Sequence, residues 1–112
     1  MPILTQKIQG VSIILVDLER ATTTVAESFK YTIKFELASD NKNFIFDLST
    51  CDFIDSTFLS ALVTSYKRIA EIGGKLRIVG LKPAVKSMFE LTRLDKIFDI
   101  YSDEQEALKS LK

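Results

Sequence analysis

The sequence predicts an α/β fold: a mixed, mostly parallel sheet of four to five strands with an N-terminal β-hairpin and about four flanking helices. Three observations carry this. The hydrophobic pattern switches repeatedly between short β-branched runs and stripes of helical period. The resulting order, β-β-α-β-α-β-α-β-α, separates most strands by a helix, which calls for parallel pairing through right-handed crossovers. The chain has 112 residues, 46% of them hydrophobic. That suits one domain over residues 1–112, burying roughly two-thirds of its unfolded surface.

The elements follow in order. Residues 3–9 alternate loosely, Gln9-Gly10 offers a turn, and Val11-Ser12-Ile13-Ile14-Leu15-Val16 is rich in β-branched residues, so a two-strand hairpin is expected. From Thr23 to Ala38, Val25, Phe29, Ile33 and Leu37 recur at four-residue steps on one stripe, and Thr24 with Glu27 has capping-box spacing. Tyr31 and Phe35 fall nearly opposite that stripe, where they either meet a neighbour or stand in water. A polar loop, residues 39–43, leads into a short buried strand, Phe44-Ile45-Phe46-Asp47-Leu48. After a second loop, residues 49–55, a helix runs from Ser56 to Ile72 with Leu59, Leu62, Val63, Tyr66, Ile69 and Ala70 on its apolar face. Gly73-Gly74 ends it. Residues 76–80 form the next strand, and Pro83 opens a helix carrying Val85, Met88, Phe89 and Thr92. A strand over 97–101 and a last helix capped by Ser102 with Gln105 complete the chain.

Composition narrows the function. Fifteen basic residues balance 15 acidic ones, which argues against a nucleic-acid partner. No apolar run reaches about 18 residues, so no membrane association is expected. Met1-Pro2-Ile3-Leu4 lacks the basic leader of a signal peptide. There is no histidine and one cysteine, Cys51. Triads, histidine metal sites, thiolate zinc clusters and intramolecular disulfides are therefore excluded, and a reducing, cytoplasmic setting fits. A binding module is expected in preference to an enzyme, with no cofactor and no metal.

Three constellations bear on chemistry. Asp47, Asp52 and Asp55 cluster after the third strand, at the edge where open α/β sheets bind ligands. Three carboxylates could hold magnesium, but a turn-bonding Asp47 and an Asp55 near a helix N-terminus are the plainer expectation. A phospho-acceptor receiver, with Asp17 and Glu19 as an acid pair, Asp47 as acceptor and Lys82 as the late lysine, fails on element order. Only one helix separates the acid pair from Asp47, and Lys82 arrives one strand too early. Gly73-Gly74 is no phosphate cradle, since no helix or GKS follows it. Cys51 reads as a small buried hydrophobe.

The most informative stretch is Phe44-Ile-Phe-Asp-Leu-Ser-Thr-Cys-Asp-Phe-Ile-Asp-Ser-Thr-Phe-Leu59. Two adjacent hydroxyls, Ser56 and Thr57, open a helix behind an acid; one suffices as an N-cap, which frees the other. Strand, D-L-S, loop, F-I-D-S-T and an apolar helix resemble the STAS domain of bacterial anti-sigma factor antagonists. The resemblance continues through G-G-K-L-R-I-V-G and the passage from Phe89 to Leu94 followed by Ile97-Phe98. It implies a partner switch in transcription regulation. The unphosphorylated antagonist binds an anti-sigma factor serine/threonine kinase and releases a sigma factor, phosphorylation ends this, and a phosphatase restores it. Carried over, the acceptor is Thr57, with Ser56 the less favoured position. The family usually has Gly after the acceptor; here Phe58 stands there, and the Gly and Asp often found before the first helix are missing from residues 18–22.

On a helical projection Phe58, Ala61, Ser65 and Ile72 form a strip beside the core stripe. Asp55, Ser56, Thr57, Phe58, Ala61 and Ser65 are therefore the expected partner-binding residues, the alternative being that this flank packs beneath a neighbouring helix. A monomer or weak dimer is expected. The rival functions are a small-ligand or nucleotide-sensing STAS module and a magnesium enzyme using Asp47, Asp52 and Asp55.

Overall fold

In the computed structural model, residues 2–112 are described; Met1, where the leader argument begins, lies outside them. The strands are β1 (Ile3–Ile8), β2 (Val11–Val16), β3 (Arg20–Ala21), β4 (Asn43–Asp47), β5 (Phe53–Ile54), β6 (Lys75–Val79) and β7 (Asp99–Tyr101). The helices are α1 (Thr23–Ala38), α2 (Ser56–Glu71), α3 (Pro83–Leu91) and α4 (Glu104–Ser110), with a 3₁₀ turn at Leu94–Lys96. The hairpin turn takes positive φ at both Gln9 (53°) and Gly10 (79°), the type I′ geometry that matches strand twist.

Five strands form the main sheet in the order β1-β2-β4-β6-β7, with β1 antiparallel to β2 and the other pairs parallel. Side chains alternate between two cores. Ile14, Val16, Phe44, Phe46 and Ile78 face one side, packed against Phe29 and Ile33 of α1, Leu62 and Ile69 of α2, and Val85 and Phe89 of α3. Val11, Ile13, Ile45 and Val79 face the other, beneath Ala107 and Leu108 of α4. Helices cover both faces, which is why β2 and β4 read as continuous apolar runs. The expected fold class is borne out, hairpin and four helices included.

Several local expectations are corrected. The Thr24–Glu27 capping box does not form: α1 begins at Thr23 and its N-cap, Thr22, makes no side-chain cap. Asp103, not Ser102, caps α4 by accepting from the Glu106 amide at 2.9 Å. The strand expected from Ile97 begins at Asp99, because the 3₁₀ turn takes up the chain before it. Strands β3 and β5, paired in parallel apart from the main sheet, were not expected, since two residues are too short to show a period.

The strip expected to meet a partner is the main correction. Phe58, Ala61 and Ser65 are all buried, because α1 lies alongside α2 and widens its apolar arc. The Phe58 ring is tilted against Phe29 with centroids 5.0 Å apart, and Phe29 stands edge-on to Phe46 at the same distance. The Ser65 hydroxyl donates to the Ala61 carbonyl at 2.8 Å, which satisfies it inside the helix pair. Only Ile72 of the strip is exposed.

The aromatic chain from Phe58 to Phe46 generates a stability test. Phe58→Ala should lower unfolding free energy by about 3–5 kcal/mol, read as a fall in the urea midpoint. The neighbouring exposed change Thr57→Ala should stay within about 1 kcal/mol.

Candidate functional site

The candidate site is the first turn of α2, at the carboxyl edge of the sheet. Its position is set by the chain before it. The amides of Asp52 and Phe53 both donate to the Glu19 carbonyl, at 2.7 and 3.1 Å, and the Asp55 amide donates to the Ala21 carbonyl at 3.1 Å. The Arg20 guanidinium lies 4.3 Å over the Phe53 ring, and Lys82 pairs with Asp52 at 2.9 Å. The exposed ion pair contributes little; the backbone bonds hold the loop.

Asp55 joins two helices. Its Oδ1 accepts from the Phe58 amide at 2.9 Å, capping α2. Its Oδ2 accepts from the Thr23 amide at 2.9 Å and from the Thr23 hydroxyl at 3.2 Å, at the start of α1. The Phe58 amide above all, with Thr23 and Thr57 adding to it, holds the Asp55 carboxyl below its usual range, and the opposing desolvation does not outweigh them. The N-cap is thus Asp55 and neither hydroxyl. Ser56 and Thr57 are exposed on the first turn, and the capping duty that one of them was expected to perform falls to the acid before them.

Phe58 stands where the family usually has Gly, and its side chain points into the core rather than beside Thr57 on the surface. Of the expected partner-binding residues, the structure keeps Ser56 and Thr57 exposed and Asp55 half-buried at this turn.

The three aspartates do not converge. Asp52 is in its pair with Lys82, Asp55 is at the helix caps, and the Asp47 Oδ1 accepts from the Ser49 amide at 2.9 Å. Among the described residues no group of three or more His, Cys, Asp or Glu side chains is placed to hold a metal ion. Gly80, following β6, has φ +78°, and a Cβ there would stand 2.7 Å from that of Ser49. Glycine is required for β6 to leave the sheet this close to the Asp47 turn. Cys51 is buried, its sulfur 3.6 Å from the Val16 carbonyl, and burial, with the Asp47 charge beside it, pushes the thiol up to about 11.

One titrating pair was not legible in the sequence. Asp47, only 8% exposed, meets Glu104 at the start of α4. A hydrogen bond to Asp47, with burial and the Asp47 charge, pushes the Glu104 carboxyl up to about 7. Burial would raise Asp47 too, but bonds from Glu104 and Ser49 outweigh it and hold Asp47 low. The proton of the pair therefore resides on Glu104. These residues are 57 positions apart in the chain, and no spacing rule joins them.

The folded protein holds the Glu104 proton between pH 4.5, the ordinary glutamate value, and about 7, whereas the unfolded chain has lost it. Stability from this pair should therefore fall as pH rises through that window. The loss is on the order of 1 kcal/mol, because Glu104 is partly solvated. Asp47, held low, acts oppositely and withdraws its contribution below about pH 4. Urea titrations at pH 5 and pH 8 should show this difference, and Glu104→Gln should flatten it.

The family model described as STAS domain matches residues 3–107. An anti-sigma F factor antagonist from Paenibacillus polymyxa is 30% identical over 71 residues, which cover 63% of this chain and 61% of that one, so the match spans less than two-thirds of the relative. The crystal structure of an anti-sigma factor antagonist from Mycobacterium paratuberculosis superposes with a TM-score of 0.87 at 26% identity, covering 96% of this chain and 91% of that one. The phosphorylated form of the Bacillus cell fate determinant SpoIIAA shares the fold, with a TM-score of 0.77 at 12% identity and coverage of 98% and 99%. Matched along nearly its whole length, this chain belongs to the STAS-domain family and is similar to anti-sigma factor antagonists.

Proposed function

We propose that this chain is an anti-sigma factor antagonist controlled by phosphorylation of Thr57. Unmodified, it binds an anti-sigma factor serine/threonine kinase and so releases a sigma factor; modified, it does not; a phosphatase resets it. The observation that carries the reading is the first turn of α2. Asp55 caps the helix, leaving two exposed hydroxyls, Ser56 and Thr57, with no structural duty at a helix N-terminus.

The physics of such a switch is local. A phosphate adds between one and two negative charges and three acceptor oxygens, which a helix N-terminus tolerates. The fold is therefore left intact and the effect falls on the complex. A micromolar complex is worth about 8 kcal/mol, and burying an unpaired dianion at an interface costs several kcal/mol. One phosphate is enough to abolish most of the binding. The inward Phe58 ring removes the obstacle to a kinase that its bulk would have been on the surface. The contact surface is then Ser56, Thr57 and the neighbouring exposed polar face of α2, with Phe58, Ala61 and Ser65 supporting it from beneath.

The same reading makes the protein a non-catalytic cytoplasmic regulator, monomeric or weakly dimeric. Among the described residues no helix is long and apolar enough to cross a membrane. Ligand sensing is the second reading. It has a cleft of about 430 Å³ where Asp47, Gly80, Ser102 and Glu104 meet at the carboxyl edge, and a small molecule retained through purification, seen by native mass spectrometry, would favour it.

Incubated with its cognate kinase and ATP, the protein should take one phosphate, on Thr57, mapped by peptide mass spectrometry. Thr57→Ala should block modification and leave kinase binding within a few-fold. Thr57→Glu should weaken binding, though less than phosphate does, because a carboxylate carries less charge. Phosphate mapped to Ser56, or full-strength binding by Thr57→Glu, would show the residue assignment to be wrong.

A further inference from the structure

A second surface lies along the seam between α1 and α2. Lys30, Tyr31 and Lys34 of α1 face Thr64 and Arg68 of α2 across a groove of about 270 Å³, with Glu27 at one end. Ile33 and Ser65 form its floor. Glu27 is held by Lys30 at 3.0 Å. Lys34 and Arg68 form no salt bridge among the described residues, so the groove presents two unpaired cations while the Glu27 carboxylate at its end is engaged by Lys30. On the outer side of α1, Tyr31 is 71% exposed and Phe35, one turn further, 59% exposed. Two large aromatics on one helix face beside cations are an unusual use of surface.

The charge is unevenly placed. The formal charge of the chain is zero, yet the loops leading to the switch carry Asp17, Glu19, Asp52 and Asp55 against Arg20 and the Lys82 that pairs with Asp52. An anionic partner is repelled from that edge and attracted to the groove, which fixes one orientation of approach. The cavity is smaller than the roughly 300–1,000 Å³ that encloses a drug-sized molecule. It suits side chains entering one after another from a longer segment.

We propose that the α1–α2 groove is a docking site for an acidic segment of a protein partner. Its carboxylates meet Lys34 and Arg68, and an apolar residue packs on Tyr31 and Phe35. The inference is independent of the phosphorylation of Thr57 and concerns the unmodified chain.

The test uses the isotopically labelled 112-residue chain. The probe is a helix-forming peptide about 15 residues long, with glutamates at four-residue spacing beside a leucine strip. Its control replaces every glutamate with lysine. Amide shifts should appear at residues 30–35 and 64–68 with the acidic peptide only, and binding should weaken as salt is raised to about 0.3 M. Lys34→Glu with Arg68→Glu should weaken it about tenfold. Tyr31→Ala should weaken it without changing the salt dependence. All three residues have exposed or solvent-facing side chains, and unchanged amide spectra elsewhere report that each variant is folded. No shift at millimolar peptide, equal shifts with the lysine control, or shifts scattered over Lys7, Lys42 and Lys75 would overturn the proposal. The same shifts produced by inorganic phosphate at similar concentration would also overturn it, in favour of a small-anion site.

Discussion

The carboxylate of Asp55 is the constraint on which the candidate site depends. One oxygen terminates α2 and the other receives the amide and hydroxyl of Thr23 at the head of α1. Two helix N-termini thus share a single anion, and both have unsatisfied amides to offer. This fixes where the two helices begin relative to each other. Their seam, with Phe29 against Phe58 below and the cationic groove beyond, follows from that starting point. The paired β3 and β5 strands serve the same end by bringing the backbone of residues 52–55 against residues 19–21.

With the cap supplied by an acid, the two residues after it are relieved of structural work. That separates stability from signalling along the chain: Asp55 and Phe58 hold the turn, and Ser56 and Thr57 between them face water. Phe58 does so from the core, through aromatic contacts that continue to Phe46 on the central strand. A side chain that the sequence set beside the acceptor thereby becomes part of the platform beneath it.

Much of this was legible in the sequence because long elements advertise their period. The α1 and α2 stripes, the β-branched β2 run, the Gln9-Gly10 turn and Pro83 at the start of α3 were each readable from local chemistry. The width of the buried arc on α2 was not. A helical projection ranks faces but does not say how many neighbours a helix has, and α1 turned Phe58, Ala61 and Ser65 inward. The cap of α2 is only half legible: Asp55 stands near the N-terminus, but the hydroxyls beside it are also good caps, and the sequence does not show that Thr23 comes to the same carboxylate. The Asp47–Glu104 pair and the β3–β5 ladder are contacts of distant segments, visible only once the sheet order is known.

The depth at which Cys51 is set has a consequence for how the protein meets oxidants. Its thiol, pushed up to about 11 by burial and the Asp47 charge, is overwhelmingly protonated at pH 7, and the thiolate is the form that attacks peroxides and disulfides. No second cysteine is available to resolve a sulfenic acid within the chain. Oxidative stress thus finds little purchase on the loop beneath the Ser56–Thr57 turn, and a redox signal would have to reach this protein through another component.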